Sequence, residues 1–473
     1  MAFIGREREL AALRRLADRD EFQMAVVYGR RRIGKTALIA RFCEDRRTLW
    51  FTAREQNATV NLREFSQRIY AFFEEPPLPG GFPDWMSAFD HIADMADRQR
   101  DRPFTFVFDE FPYAAEAEPG LPSILQIAID HRLSRTPVTM ILCGSNEGFM
   151  EGRVLGYKSP LYGRRNAQIR LGPFDIIDAS RLMPADAGWL DRVRYYAALG
   201  GTPYYLRQID GSESFETNME QLCYDMSGIL YEEPMMLLRE ELHEPATYNS
   251  ILEAIASGRT RAKEIAERVG MTSTSVSPYL STLESLGLAE RTVPFGEDPR
   301  HSRRGLWGIK DPFFAYWYRF VSPRTGLIDM GAGHAPAVRG TTSEVFDTYV
   351  GQRFETMCLQ WLFRQCREGK IDLLPDAYGK WWGNDPSRRE QTDIDIVMAD
   401  TTNRRILLGE CKWRERLNET EAIDRLRERS PLIREKGERT YWLFTKRPAS
   451  TATRARAAAD PALHLADAGT MFA

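Results

Sequence analysis

At 473 residues, with 43% hydrophobic and 28% charged residues, the chain has the composition of an ordinary globular protein and the length for about three domains. A net charge of −3 gives no global basic field, so any nucleic-acid surface has to be local. The six scattered cysteines form no CxxC pair, the N-terminus is charged early, and no apolar run reaches the roughly 18 residues of a membrane span; these features argue against a disulfide scaffold, a secreted chain and a membrane protein, and lead us to expect a cytoplasmic protein with free thiols.

The first third alternates short apolar strands with amphipathic helices, the rhythm of a parallel α/β sheet. Strands are expected at 24–28, 48–52, 104–108 and 138–143, with a Pro/Gly-rich loop at 74–84. Between the first strand and a helix starting at Thr36 lies Gly29-Arg30-Arg31-Arg32-Ile33-Gly34-Lys35-Thr36, a complete GxxxxGK[ST] loop. In such a loop the backbone, here including Gly29, Arg32, Ile33 and Gly34, surrounds phosphates with N–H groups. Lys35 is expected to reach the β- and γ-phosphates, and Thr36 to bind Mg²⁺. The strand ending in Asp109-Glu110 offers Asp109 to hold Mg²⁺ through water and Glu110 to polarise the attacking water. Ser145 or Asn146, closing the next strand, is placed to sense the γ-phosphate. ATP or ADP with Mg²⁺ is the expected cofactor.

From about residue 175 the strand signal fades and helices are expected at 191–206 and 214–226, the second capped by Ser214. Residues 247–257, 261–269 and 273–286 read as three helices, with Gly270 turning between the last two. Segments 288–293 and 305–310 would pair as a wing carrying Arg300, His301, Arg303 and Arg304, which completes a winged helix-turn-helix. Its third helix offers Thr274, Ser275, Ser277 and Tyr279 for phosphate or base-edge contacts, yet no Lys or Arg, so protein interaction stands beside DNA binding as its role. The aromatic run 311–320 reads as a core-forming connector.

A second α/β pattern begins near residue 342, with strands expected at 394–398, 406–411 and 441–445. Asp393 stands just before the first of these and Asp395 on it, and Glu410-Cys411 end the second. If that strand runs on through Lys412, alternate residues share a face, so Glu410 and Lys412 point the same way. Asp395 and Glu410 suit a Mg²⁺ ion, Glu355 in a helix at 350–363 would complete the set, and Lys412 would orient or activate the hydrolytic water. Lys380, Trp381, Trp382, Arg388 and Arg389 read as a loop ahead of these strands that would contact a nucleic-acid strand.

The N-terminal Phe3-Ile4-Gly5-Arg6-Glu7-Arg8-Glu9-Leu10, the GRRRIGKT loop and the FDEFPY strand together resemble the archaeal-type ATPases, a branch of the STAND ATPases related to AAA+ proteins. The resemblance covers about residues 1–240 and implies that Gly5 and Arg6 lie near the adenine. It implies that Pro203, in Gly201-Thr202-Pro203, touches the base from a helical lid, and that Arg164 reaches the γ-phosphate as a finger or sensor. The order of acids ending in Glu-x-Lys resembles the PD-(D/E)XK nucleases, and the tail resembles the C-terminal domain that accompanies these ATPases. The implied fold is α/β: a P-loop ATPase core with a parallel sheet (1–175), a helical lid (176–240), a winged helix-turn-helix (241–325) and a restriction-endonuclease-like α/β domain (326–473). The implied function is an ATP-binding and hydrolysing switch that controls a DNA-directed, metal-dependent nuclease in host defence or mobile-element biology. Its partners would be nucleotide, DNA, and a protein partner or further copies of itself, with no membrane. The rival expectations are an ATP-gated DNA-binding regulator with an inert nuclease fold, and a protein-remodelling or signalling ATPase.

Overall fold

A computed structural model describes residues 3–472, and the chain divides after Pro173 into two compact units. In the first, strands β1 (Gln23–Tyr28), β2 (Thr48–Thr52), β3 (Thr105–Asp109), β4 (Thr139–Gly144) and β5 (Ala167–Arg170) form a wholly parallel sheet in the order β2-β3-β4-β1-β5. Every residue of β1, β3 and β4 is buried, because helices cover both faces; hence these strands read as unbroken apolar runs. Their alternate residues feed two cores. Met24, Val26, Phe106, Phe108, Met140 and Leu142 pack one face, whereas Ala25, Val27, Val107 and Ile141 pack the other with Leu13, Leu38 and Ile39. The edge strand β5 escaped the sequence reading because only Ile169 of its four residues is buried. Being parallel, β1, β3 and β4 present their C-terminal ends along one edge, where Gly29, Glu110 and Ser145 follow them.

The second unit opens with the short helix Ile176–Ser180, followed by helices Trp189–Leu199, Pro203–Leu206 and Phe215–Cys223, the last capped by Ser214 as expected. The expected helix 191–206 is broken at Gly200 (φ 67°) and Gly201. A Cβ on Gly201 would lie 1.9 Å from the carbonyl oxygen of Phe174, whose own N–H donates to the Gly201 carbonyl at 2.8 Å. Helices Pro245–Ala256, Ala262–Arg268 and Ser273–Ser285, with antiparallel β6 (Ala289–Thr292) and β7 (Leu306–Ile309), make the winged helix-turn-helix. The aromatic run is core: Phe313, Phe314, Tyr316, Trp317, Tyr318 and Phe320 are all buried.

Helix Glu344–Arg367 then leads into β8 (Ala377–Asp385), β9 (Glu390–Asp400), β10 (Arg405–Lys412), β11 (Glu438–Thr445) and β12 (Leu463–Asp467). Their order is β12-β11-β10-β9-β8; β8, β9 and β10 are antiparallel neighbours, and β10, β11 and β12 parallel ones. Lys380, Trp381 and Trp382 belong to β8 and not to a loop, a correction to the sequence reading; Arg388 and Arg389 lie in the turn that follows. Two glycines and an incompletely buried edge position hide this strand from hydrophobic periodicity. The β8–β9 register slips by one between Gly379 and Trp381, so Asp395 and Ile396 together oppose Lys380. The wing is tied to the same strand. Phe295 packs among Ile394, Val397 and Ile406, its N–H donates to the Lys380 carbonyl at 2.9 Å, and Arg304 donates to the Trp382 carbonyl. One hydrophobic core runs through the helices after Phe174, the winged helix and the tail, joining Tyr196, Leu252, Phe346 and Leu407. Among the described residues, no helix is long and apolar enough to cross a membrane.

Candidate functional site

The phosphate loop is built on glycine geometry. Gly29 leaves β1 with φ 148°, and a Cβ there would lie 2.4 Å from the carbonyl oxygen of Leu171, so no larger residue fits. Arg32 (φ 71°) and Gly34 (φ 94°) then turn the chain into helix Lys35–Cys43, whose first N–H groups have no intrahelical acceptor. Lys35 is buried and its Nζ donates to the carbonyls of Gly29 (2.7 Å) and Arg30 (3.1 Å), while Thr36 is exposed. Arg6 donates to the Gly172 carbonyl at 2.5 Å and to that of Ile33 at 3.5 Å, which fastens the N-terminal box, with Gly5 buried beside it, to the loop.

Asp109 ends β3 and is buried, and that burial lifts its carboxyl above the usual range. Glu110 adopts φ 51° at the start of helix Phe111–Ala117, and its carboxylate accepts from the Ser145 N–H (3.1 Å) and hydroxyl (2.5 Å). Since β4 lies between β1 and β3, Ser145 and Asn146 fall between the phosphate loop and the two acids. Asn146 uses its side-chain oxygen to cap helix Glu147–Phe149. Arg164 is engaged in a two-point pair with Asp130 (2.8 and 2.6 Å) and bonds the carbonyls of Pro160 and Tyr162. Pro203 lies in the second unit, buried at the start of helix Pro203–Leu206.

A second cluster forms where helix Glu344–Arg367 crosses β9 and β10. The β9–β10 ladder ends at Ile396 and Gly409; beyond it the Asp395 carboxylate takes the ladder's place and accepts from the Cys411 N–H at 3.0 Å. Glu410 is buried, with Oε1 2.5 Å from the Lys412 ammonium; Oε2 lacks a hydrogen bond and lies 3.5 Å from Arg429. Lys412 also lies 3.7 Å from Asp395. Lys380 enters from β8, its Nζ 2.9 Å from Glu355, 2.9 Å from Asp395 and 3.1 Å from Asp393.

These charges act on one another. Burial and the neighbouring Asp395 push Glu355 up to about 7, against the pull of Lys380. Burial also opposes ionisation of Asp395, yet Lys380, Lys412 and the Cys411 N–H hold its carboxyl below the usual range. Burial and Asp395 raise Glu410. Burial disfavours both ammoniums as well, but the carboxylates around Lys380 and Lys412 hold them above the ordinary lysine value.

The residues singled out in the tail, Glu355, Asp393, Asp395, Glu410 and Lys412, are thus brought together, as are Lys35, Thr36, Asp109 and Glu110 around the ends of β1 and β3. Lys380 and Arg429 were missed as members of the acid cluster. Neither stands in a motif, and only the register slip in β8–β9 and the end of helix Glu419–Arg429 deliver them. Among the described residues no three acid, histidine or cysteine side chains form a ready metal-ligand group; Glu355, Asp393 and Asp395 are drawn around Lys380.

Residues 3–209 match the family described as an ATPase domain predominantly from Archaea, residues 250–292 an IclR helix-turn-helix domain, and residues 317–423 a family of archaeal and bacterial proteins of unknown function. The chain is 30% identical over 413 residues to the uncharacterized protein MJECL04 of Methanocaldococcus jannaschii, spanning 87% of this chain and 88% of that one. The Walker-type ATPase PABY2304 of Pyrococcus abyssi shares the fold at TM-score 0.51 and 20% identity, over 67% of this chain and 96% of its own. A looser likeness, at TM-score 0.41 and 16% identity, links 69% of this chain to 95% of the Aeropyrum pernix ORC2 protein. Residues 3–209 are thus an ATPase domain of the kind found predominantly in archaea, and the chain as a whole belongs to the same family as the M. jannaschii protein MJECL04.

Proposed function

We propose that the chain is an ATP-binding and hydrolysing switch, of the STAND kind, whose nucleotide state governs a DNA-directed, metal-dependent nuclease site in its C-terminal domain. The observation that carries this reading is the convergence of Glu355, Asp395, Glu410 and Lys412 from a helix and two strands within one hydrogen-bonded cluster, in a chain whose other unit is a P-loop ATPase fold.

In the ATPase unit, Lys35 and the loop backbone would hold the phosphates, Thr36 and Asp109 the Mg²⁺ ion, and Glu110 the attacking water, released from Ser145 when nucleotide is bound. Gly5 and Arg6 are assigned to the base, Asn146 and Arg164 to the γ-phosphate; for Arg164 that role requires breaking its pair with Asp130. In the tail, the acids offer the all-oxygen ligands that a hard cation takes, and the buried Oε2 of Glu410 lacks a hydrogen bond, although in the present arrangement lysines and Arg429 hold them. Asp395 and Glu410, with Glu355, would hold the ion, which when bound polarises a phosphate and acidifies a water. Lys412 orients that water from its place on Glu410. The winged helix brings exposed Thr274, Ser275 and Ser277 to DNA.

One observation favours the inert-nuclease regulator instead: Lys380 already pairs with three of the acids. Incubation with plasmid and linear DNA in Mg²⁺ or Mn²⁺, with and without ATP, separates the two. The nuclease reading requires cleavage that disappears in Asp395→Ala and in Lys412→Ala. Cleavage surviving in both variants defeats it, and DNA binding without any cleavage transfers the case to the regulator.

A further inference from the structure

Lys380 occupies the centre of the C-terminal acid cluster, with an ammonium that is a three-donor group and three carboxylate oxygens within 3.1 Å to receive it. Its position is imposed by the fold. The β8–β9 register slip puts Asp395 and Ile396 opposite this single residue, the kind of irregularity that re-aims a side chain. The Phe295 N–H holds its carbonyl at 2.9 Å, so the stem of the side chain starts from a fixed point.

We propose that Lys380 is a built-in competitor of the divalent cation: its ammonium and the ion contend for Glu355 and Asp395, so the site takes up metal only as Lys380 withdraws. This inference rests on the reading of these acids as a metal site. A Mg²⁺ or Mn²⁺ ion needs oxygens at about 2.0–2.2 Å, and Oδ1 of Asp395 and Oε2 of Glu355 are the atoms Lys380 now holds. The other Asp395 oxygen is bound by the Cys411 N–H. An ammonium and a divalent ion sharing one carboxylate oxygen in a partly buried site repel strongly, which excludes simultaneous occupation of the present geometry. Lys412 competes less directly, because it leans on Oε1 of Glu410 and lies 3.7 Å from Asp395; Oε2 of Glu410 makes no hydrogen bond, with Arg429 3.5 Å away. A DNA phosphate is the natural anion to draw Lys380 away, since it offers the ammonium equivalent oxygens.

The test measures Mn²⁺ binding to the nucleotide-free full-length protein, by the electron paramagnetic resonance signal of free Mn²⁺, for wild type, Lys380→Met and Lys380→Gln, each with and without Asp395→Asn. The expected result is at least tenfold tighter binding in both Lys380 variants, abolished by Asp395→Asn. Thermal unfolding in chelator and in Mn²⁺ provides a second reading. The Lys380 variants should melt lower than wild type in chelator and gain more from Mn²⁺. The glutamine variant keeps a hydrogen-bonding side chain should the methionine variant not fold. Unchanged or weaker Mn²⁺ affinity in the Lys380 variants, at a site still abolished by Asp395→Asn, overturns the competition and leaves the metal site standing. Mn²⁺ binding insensitive to Asp395→Asn in every background overturns the metal site and the competition with it.

Discussion

Lys35 spends its ammonium on two carbonyls of its own loop, and Glu110 spends its carboxylate on Ser145. Each is a reactive group held by a neighbour that nucleotide would have to displace. Lys35→Ala should weaken ATP affinity at least tenfold, about 1.4 kcal/mol, measured by calorimetric titration. Glu110→Gln should keep ATP bound while lowering turnover by roughly 10²–10⁴-fold; normal turnover would remove Glu110 from its assigned role. Glu355 supplies a pH signature. Its carboxyl is held at about 7 in the folded chain against 4.5 for the free group, so between those values the folded state binds the extra proton. Stability therefore falls as pH rises through this window. Relative to Glu355→Gln, the wild type should lose on the order of 1 kcal/mol between about pH 5 and about pH 8 in denaturant unfolding, and a parallel pair of profiles would contradict that assignment. The phosphate loop and Asp109-Glu110 were legible at this scale because the spacing itself is the chemistry. Lys380, Arg429 and the Ser145 clamp were not, since each acts through a partner distant in sequence.

At the scale of elements, the apolar strands β1 to β4 and the three helices of the winged domain were readable from their hydrophobic pattern. Strands β5, β8 and β12 were not: all three are edge strands, and polar or half-exposed side chains interrupt the pattern. The break in the expected helix 191–206 carries its own test. A Cβ on Gly201 would meet the Phe174 carbonyl oxygen at 1.9 Å, whereas a Cβ on Gly308 of β7 would meet nothing within 4 Å. Gly201→Ala should cost about 1–3 kcal/mol or more and lower the melting temperature by several degrees, with Gly308→Ala nearly neutral. Equal melting temperatures for the two variants would show that the close approach of Gly201 to Phe174 does not constrain the chain.

Over the whole molecule, one continuous hydrophobic core runs through the helices after Phe174, the winged helix and the tail. Sequence could not show this, because Phe295 and Arg304 look like ordinary wing residues until β8 is known to exist. Amides of Leu252, Ile265 and Leu283 should accordingly lose hydrogen-exchange protection at the same denaturant concentration as those of Ile396 and Leu408; earlier loss in the winged helix alone would mark it as an independent unit. Through Phe295 and Arg304 the wing is in direct contact with the strand that carries Lys380. The central claim is that nucleotide state governs the C-terminal acid cluster. It is tested most directly by comparing metal-dependent cleavage of the same DNA, at an ATP concentration that saturates wild type but not Lys35→Ala, by Glu110→Gln, expected to hold ATP, and by Lys35→Ala, expected to bind it at least tenfold more weakly. The account predicts that cleavage differs between the two variants by at least tenfold and is lost from both when Asp395→Ala is added; equal cleavage in the two, whether high or nil, would contradict it.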